Sequence, residues 1–75
     1  MNEPRLKLET HDGRIVISLP GTSYEVTFWK LVNGLGIRAS HNIEDDKDAP
    51  ITALEFLDRA WVIARDKARE LGWIV

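Results

Sequence analysis

The chain is predicted to adopt an α+β fold, a four-stranded antiparallel meander sheet with one carboxyl-terminal helix packed on one face. Three observations carry that expectation. The first is a set of turn dipeptides, Asp12-Gly13, Pro20-Gly21 and Asn33-Gly34, spaced closely enough that little but hairpins fits between them. The second is the apolar/polar alternation of the segments they separate. The third is a capping box, Thr52 with Glu55 three residues on, opening a helical pattern that ends near Gly72.

The first strand reads Arg5-Leu6-Lys7-Leu8-Glu9, which puts Leu6 and Leu8 on one face and Lys7 and Glu9 on the other. A two-residue turn at Asp12-Gly13 sets Leu8 opposite Ile17 and Leu6 opposite Leu19. Ile15, Ile17 and Leu19 then share the leucines' face. Pro20-Gly21 leaves two connections open. An L-Pro-Gly pair favours a type II turn, whose twist suits a two-residue hairpin poorly, so a four-residue loop from Pro20 to Ser23 competes with the tight turn. Either choice keeps Tyr24, Val26 and Phe28 facing the core, because a two-residue shift preserves side-chain parity.

A type I′ turn at Asn33-Gly34 pairs Val32 with Leu35, Lys30 with Ile37, Phe28 with Ala39 and Val26 with His41. Lys30 would snorkel at the ribbon's end. The strands thus fall within residues 5–41, an acidic loop covers 42–50, and a helix runs from about 52 to 71, all in one domain of 75 residues. Ile51 and Phe56 stand at the N′ and N4 positions of a hydrophobic staple. At the other end Gly72 suits the left-handed C′ position, with Trp73 placed to fold back on Ala68. The helix stripe reads Leu54, Leu57, Trp61, Ala64, Ala68 and Leu71, widened by Phe56, Ala60 and Ile63. Its partner is the sheet face bearing Leu6, Leu8, Ile15, Ile17, Leu19, Tyr24, Val26, Phe28 and Ile37. Glu55, Asp58, Arg59, Val62, Arg65, Asp66, Arg69 and Glu70 fall on the solvated side in mixed sign.

Composition narrows the function classes. With no cysteine, disulfides, thiolate metal sites and a cysteine nucleophile are excluded, and a reducing cytoplasm is the expected compartment. The charged start, Met1-Asn2-Glu3-Pro4-Arg5, reads as no secretion signal, and no stretch approaches the ~20 apolar residues of a bilayer span. A soluble protein without membrane contact is expected. The formal charge is −2, and Glu44-Asp45-Asp46-Lys47-Asp48 alone contributes −3, so the remainder is nearly neutral. That balance disfavours a general polyanion binder.

Catalysis and metal binding find little support. Any histidine-assisted or zinc site would need His11 and His41, which the register sends to opposite faces and opposite edges, roughly 14 Å apart at about 4.8 Å per strand. The acidic loop lacks the ligand spacing and central glycine of an EF-hand, so it is read as a solvated crossover that favours the helix amino terminus. Gly34-Leu35-Gly36 follows a hairpin turn and opens no helix, which removes it as a phosphate loop. No cofactor, metal or catalytic residue is assigned. Trp73-Ile74-Val75 is expected to pack against the open end of the sandwich.

The uncovered sheet face is where side chains lack a core to explain them. Trp29 should lie directly across from Arg38, with Arg14 on the neighbouring strand beside it or one position diagonal, and Val16 and Leu31 extend the patch. The arginines can simply shield the indole through cation–π contacts. Alternatively, Arg14, Val16, Trp29, Leu31 and Arg38 form a contact surface, since Trp and Arg are enriched among interface hot spots. The sequence thus points to a small non-catalytic binding or accessory module, pairing with itself as a homodimer or with another protein through this face. Nucleic-acid binding through the same face is the alternative, with Lys7, Arg14 and Arg38 to phosphates or guanine edges and Trp29 stacking or meeting a thymine methyl.

Overall fold

Turn geometry and side-chain parity set the sheet. The computed structural model describes residues 5–31, 36–40 and 43–74, and in it the sheet is β1 (Lys7–His11), β2 (Arg14–Ser18), β3 (Glu25–Lys30) and β4 (Ile37–Ser40) in the order β1-β2-β3-β4, every pair antiparallel. One helix, α1 (Ala53–Glu70), follows and packs on one face. The architecture is α+β, as the turn spacing predicts. Leu8 pairs with Ile17, Ile17 with Val26, Phe28 with Ala39 and Lys30 with Ile37. The turn itself at Asn33-Gly34, the Val32–Leu35 pair and His41 lie outside the described residues.

The Pro20-Gly21 connection takes the longer form. Leu19 N–H donates to the Tyr24 carbonyl at 3.1 Å, so four residues form the loop. Gly21 has φ 85° and Thr22 N–H donates to the Leu19 carbonyl at 3.2 Å, a type II turn over Leu19 to Thr22. Thr22 Oγ1 locks it, donating to Leu19 O at 2.8 Å and accepting from Tyr24 N–H at 3.1 Å.

Both helix ends form as their residues dictate. Thr52 accepts from Glu55 N–H at 3.1 Å while the Glu55 carboxylate accepts from Thr52 N–H at 3.1 Å, which completes the capping box. Ile51 and Phe56 are both buried, as the staple requires. At the far end Gly72 has φ 80°, Gly72 N–H donates to Arg69 O at 3.1 Å and Trp73 N–H donates to Ala68 O at 2.8 Å. That pair of bonds is a Schellman motif, and it turns the Trp73 ring into the core. The Trp73 carbonyl then accepts from Gly36 N–H at 3.1 Å, tying the carboxyl-terminal segment to the start of β4.

The helix meets the sheet in a rotation other than the one its leucines suggest. The buried residues of α1 are Ala53, Phe56, Ala60, Ala64 and Ala68, whereas Leu54 is 69% exposed, Trp61 45% and Leu71 42%. At 100° per residue the contact stripe is turned by about 70° from one centred on Leu54, Leu57 and Trp61. Small side chains decide this. Alanines at 60, 64 and 68 let the backbone approach the broad side chains of Ile15, Ile17, Val26 and Phe28, and leucines there would hold it away. Trp61 is not wholly lost to solvent, since its ring lies 5.1 Å from that of Phe28 at 59°.

Leu8 is a second departure. It faces the helix layer by parity but is 39% exposed, and every residue of β1 is exposed. A helix about 10 Å wide covers roughly two strands spaced at 4.8 Å. Here it contacts β2 and β3, so the edge strand lies beyond its cover.

Candidate functional site

Antiparallel register places one residue of each strand in a row across the sheet. On the face away from the helix, His11 pairs with Arg14, Arg14 with Trp29, and Trp29 with Arg38, so four side chains of one row stand side by side. Of the two positions open to Arg14, the structure takes the one directly beside Trp29. Its guanidinium carbon lies 5.8 Å from the indole centroid, within cation–π range. Arg14 Nε is shielded from solvent and has no hydrogen-bond partner. Trp29 and Arg14 are half-buried by one another and their neighbours, while Arg38 is exposed.

Val16 occupies the next row, between Glu9 and Thr27, with Ser40 beyond. Leu31 sits past the end of β3 and is exposed. Its side chain crosses to the space that Gly36 leaves open, where an added Cβ would stand 2.9 Å from Leu31 Cδ1. Arg14, Trp29 and Arg38 are therefore one cluster, Val16 adjoins it, and Leu31 lies at its margin. His11 belongs to the row and was not counted in it on sequence grounds. The signal was present, because the register that sets Leu8 against Ile17 also sets His11 against Arg14.

Charge on this face is mixed. Lys7, Arg14 and Arg38 stand with Glu9 and Glu25. Lys7 Nζ lies 3.0 Å from Glu9 and His11 Nε2 lies 3.8 Å from the same carboxylate. The hydrogen bond and charge of Lys7, with a smaller contribution from His11, hold the Glu9 carboxyl below its ordinary pKa. Both partners are well exposed, so the pair orders the surface more than it stabilises the fold.

The acidic loop is not an open ligand set. Asp45 Oδ1 accepts from Ala53 N–H at 2.8 Å, adding a second side-chain cap to the helix amino terminus. Asp46 accepts from Asp48 N–H at 2.9 Å through Oδ1 and from Ser23 N–H at 3.4 Å through Oδ2. Its own N–H donates to Tyr24 Oη at 3.0 Å, and that hydroxyl donates to Ile51 O at 2.9 Å. The loop is thereby stitched to the segment just before β3 and to the helix start. Among the described residues no group of three or more His, Asp or Glu side chains is placed to hold a metal ion, and no helix is long and apolar enough to cross a membrane.

The arrangement is an aromatic and cationic row on a sheet face that no described residue covers. No family model, no characterised protein and no solved structure matches the chain.

Proposed function

We propose that this protein is a non-catalytic binding module that associates with a second copy of itself through the open sheet face. The observation that carries this reading is Trp29, an aromatic ring set between Arg14 and Arg38 on a face that nothing among the described residues covers. Trp and Arg supply most binding energy where they cluster near the centre of an interface. A two-fold interface must be complementary to itself. This face carries both signs, so a rotated copy can bring the arginines of one chain to Glu9 and Glu25 of the other.

Size sets a further demand. A standard interface takes about 800 Å² from each partner. Against an accessible surface of 5409 Å² that is about one seventh of the molecule, so the whole face must engage, not the Trp29 row alone. A cytoplasmic location belongs to the same proposal and rests on the absence of cysteine.

Solution mass by light scattering over a concentration series tests it. A native dimer is expected, with dissociation raised at least tenfold in Trp29→Ala, an effect of hot-spot size. A native chain that stays monomeric at millimolar concentration overturns the proposal. Nucleic-acid binding is the second reading, favoured by the flanking of one half-buried indole by two guanidinium groups. Titration with duplex and single-stranded DNA at two salt concentrations decides it, because phosphate contacts weaken steeply with salt. No binding at low salt ends that reading.

A further inference from the structure

β1 is an edge strand whose outer backbone groups can be assigned from bonds elsewhere in the sheet. Lys30 N–H donates to Gly13 O at 2.9 Å and Leu19 N–H donates to Tyr24 O at 3.1 Å, so residues 13, 15, 17 and 19 direct their N–H and C=O groups toward β3. Arg14, Val16 and Ser18 therefore direct theirs toward β1, where they meet His11, Glu9 and Lys7. It follows that Leu6, Leu8 and Thr10 turn their backbone groups outward. Among the described residues no segment pairs with that edge.

We infer that this edge pairs with β1 of a second copy, antiparallel and two-fold symmetric about Leu8. Closed two-fold pairing of edge strands needs an axis normal to the sheet, which keeps the helices of both copies on one side and allows only registers centred on a residue facing its own symmetry mate. The strand offers five such centres, and those on Thr10 and His11 run the pairing into the Asp12-Gly13 turn, setting Leu8 or Thr10 against Asp12. Centring on Glu9 sets two carboxylates directly opposite, which is destabilising. Centring on Lys7 sets two ammonium groups opposite, with the same penalty. Centring on Leu8 sets Leu8 against Leu8 of the second copy, Lys7 against Glu9 in both directions, and Leu6 against Thr10. The free N–H and C=O groups of Leu6, Leu8 and Thr10 then meet one another.

The exposure pattern agrees with this register. Leu8 is 39% exposed on a strand outside the helix's main contacts, and the symmetry mate supplies a further apolar neighbour. Because α1 lies over β2 and β3, the two helices of such a dimer run roughly 19 Å apart at strand spacings of about 4.8 Å. Packed helices sit about 8–10 Å apart, so they do not collide. Lys7 and Glu9, already 3.0 Å apart within one chain, become part of a four-charge cluster. This contact differs from that of the open sheet face and does not depend on it; an eight-stranded sheet would present two Trp29 rows on one continuous surface.

Charge exchange tests the register. Lys7→Glu alone and Glu9→Lys alone each place like charges opposite one another twice, so each variant is expected to dimerise roughly tenfold more weakly than the native chain. Mixed in equal amounts, the two variants regain both opposite-charge pairs and are expected to form a heterodimer. Amide exchange gives a readout that a face-to-face dimer does not move. Leu8 and Thr10 amides should exchange more slowly at ~1 mM than at ~20 µM protein, and should do so in Trp29→Ala as well. A mixture that remains monomeric, or Leu8 and Thr10 amides whose exchange is independent of concentration, overturns the inference.

Discussion

Tyr24→Phe is expected to destabilise the domain by about 2 kcal/mol, because it removes a single hydroxyl that serves two backbone groups. Tyr24 is 1% exposed, its Oη donates to Ile51 O at 2.9 Å and accepts from Asp46 N–H at 3.0 Å, and its ring lies 5.3 Å from that of Phe56. Removing the oxygen keeps the ring contact and strips two backbone groups of their partner. The Ile51 carbonyl belongs to a buried residue, so it bears the larger share, about 1–3 kcal/mol for an orphaned buried acceptor. Asp46 is less buried and its N–H can turn to water, which limits its share to about 0.5 kcal/mol. For 75 residues, total stability of roughly 4–11 kcal/mol is ordinary, so the substitution removes a sizeable fraction. The thermal midpoint should fall by about 8–16 °C. Urea denaturation followed by tryptophan fluorescence measures the change, and an unchanged denaturant slope would show that the two-state comparison holds. A loss below ~0.5 kcal/mol would refute the role assigned to the hydroxyl.

Two further outcomes check separate parts of the account. Ala60→Leu should cost about 1–3 kcal/mol, because the site is fully buried beneath the helix and has no room for three more carbons, whereas Leu54→Ala should change stability by less than ~0.5 kcal/mol in spite of its larger apolar loss. The reverse order in chemical denaturation would place the helix stripe back on its leucines. Glu9 has a carboxyl pKa lowered in the folded state, so its small contribution is present above the ordinary glutamate range and is lost as pH falls through the depressed value. An NMR titration should find the Glu9 midpoint below that range and moved upward in Lys7→Ala. A midpoint indifferent to Lys7 would discard the ion pair as its cause.

The site was legible in part for a definable reason. Trp29 opposite Arg38 follows from parity and from a register that Asn33-Gly34 imposes on its neighbours. His11 was recoverable by the same rule at Asp12-Gly13. What no pairing rule contains is how closely Arg14 lies to the indole, since 5.8 Å and a shielded Nε depend on rotamers and on the neighbours that crowd them. The bonds that hold the acidic loop were equally out of reach, because Tyr24 and Asp46 are twenty-two residues apart and meet only once the sheet and helix are docked.

By itself the sequence determined what depends on neighbours along the chain: strand parity, the two-residue turn at Asp12-Gly13, the capping box at Thr52 and the glycine stop at Gly72. These are local because side-chain direction alternates every residue in a strand, and because caps satisfy backbone groups within one turn of the helix end. Tertiary structure alone decided which part of a wide apolar helix surface meets the sheet: Ala64 and Ala68 of the expected stripe, with Phe56 and Ala60 at its margin, are buried, while Leu54 and Trp61 are not. Hydropathy ranks leucine above alanine, but close packing between a helix and a sheet of branched side chains rewards the small residue that lets the backbones approach. The same docking left β1 uncovered, since one helix is only wide enough to shelter two strands.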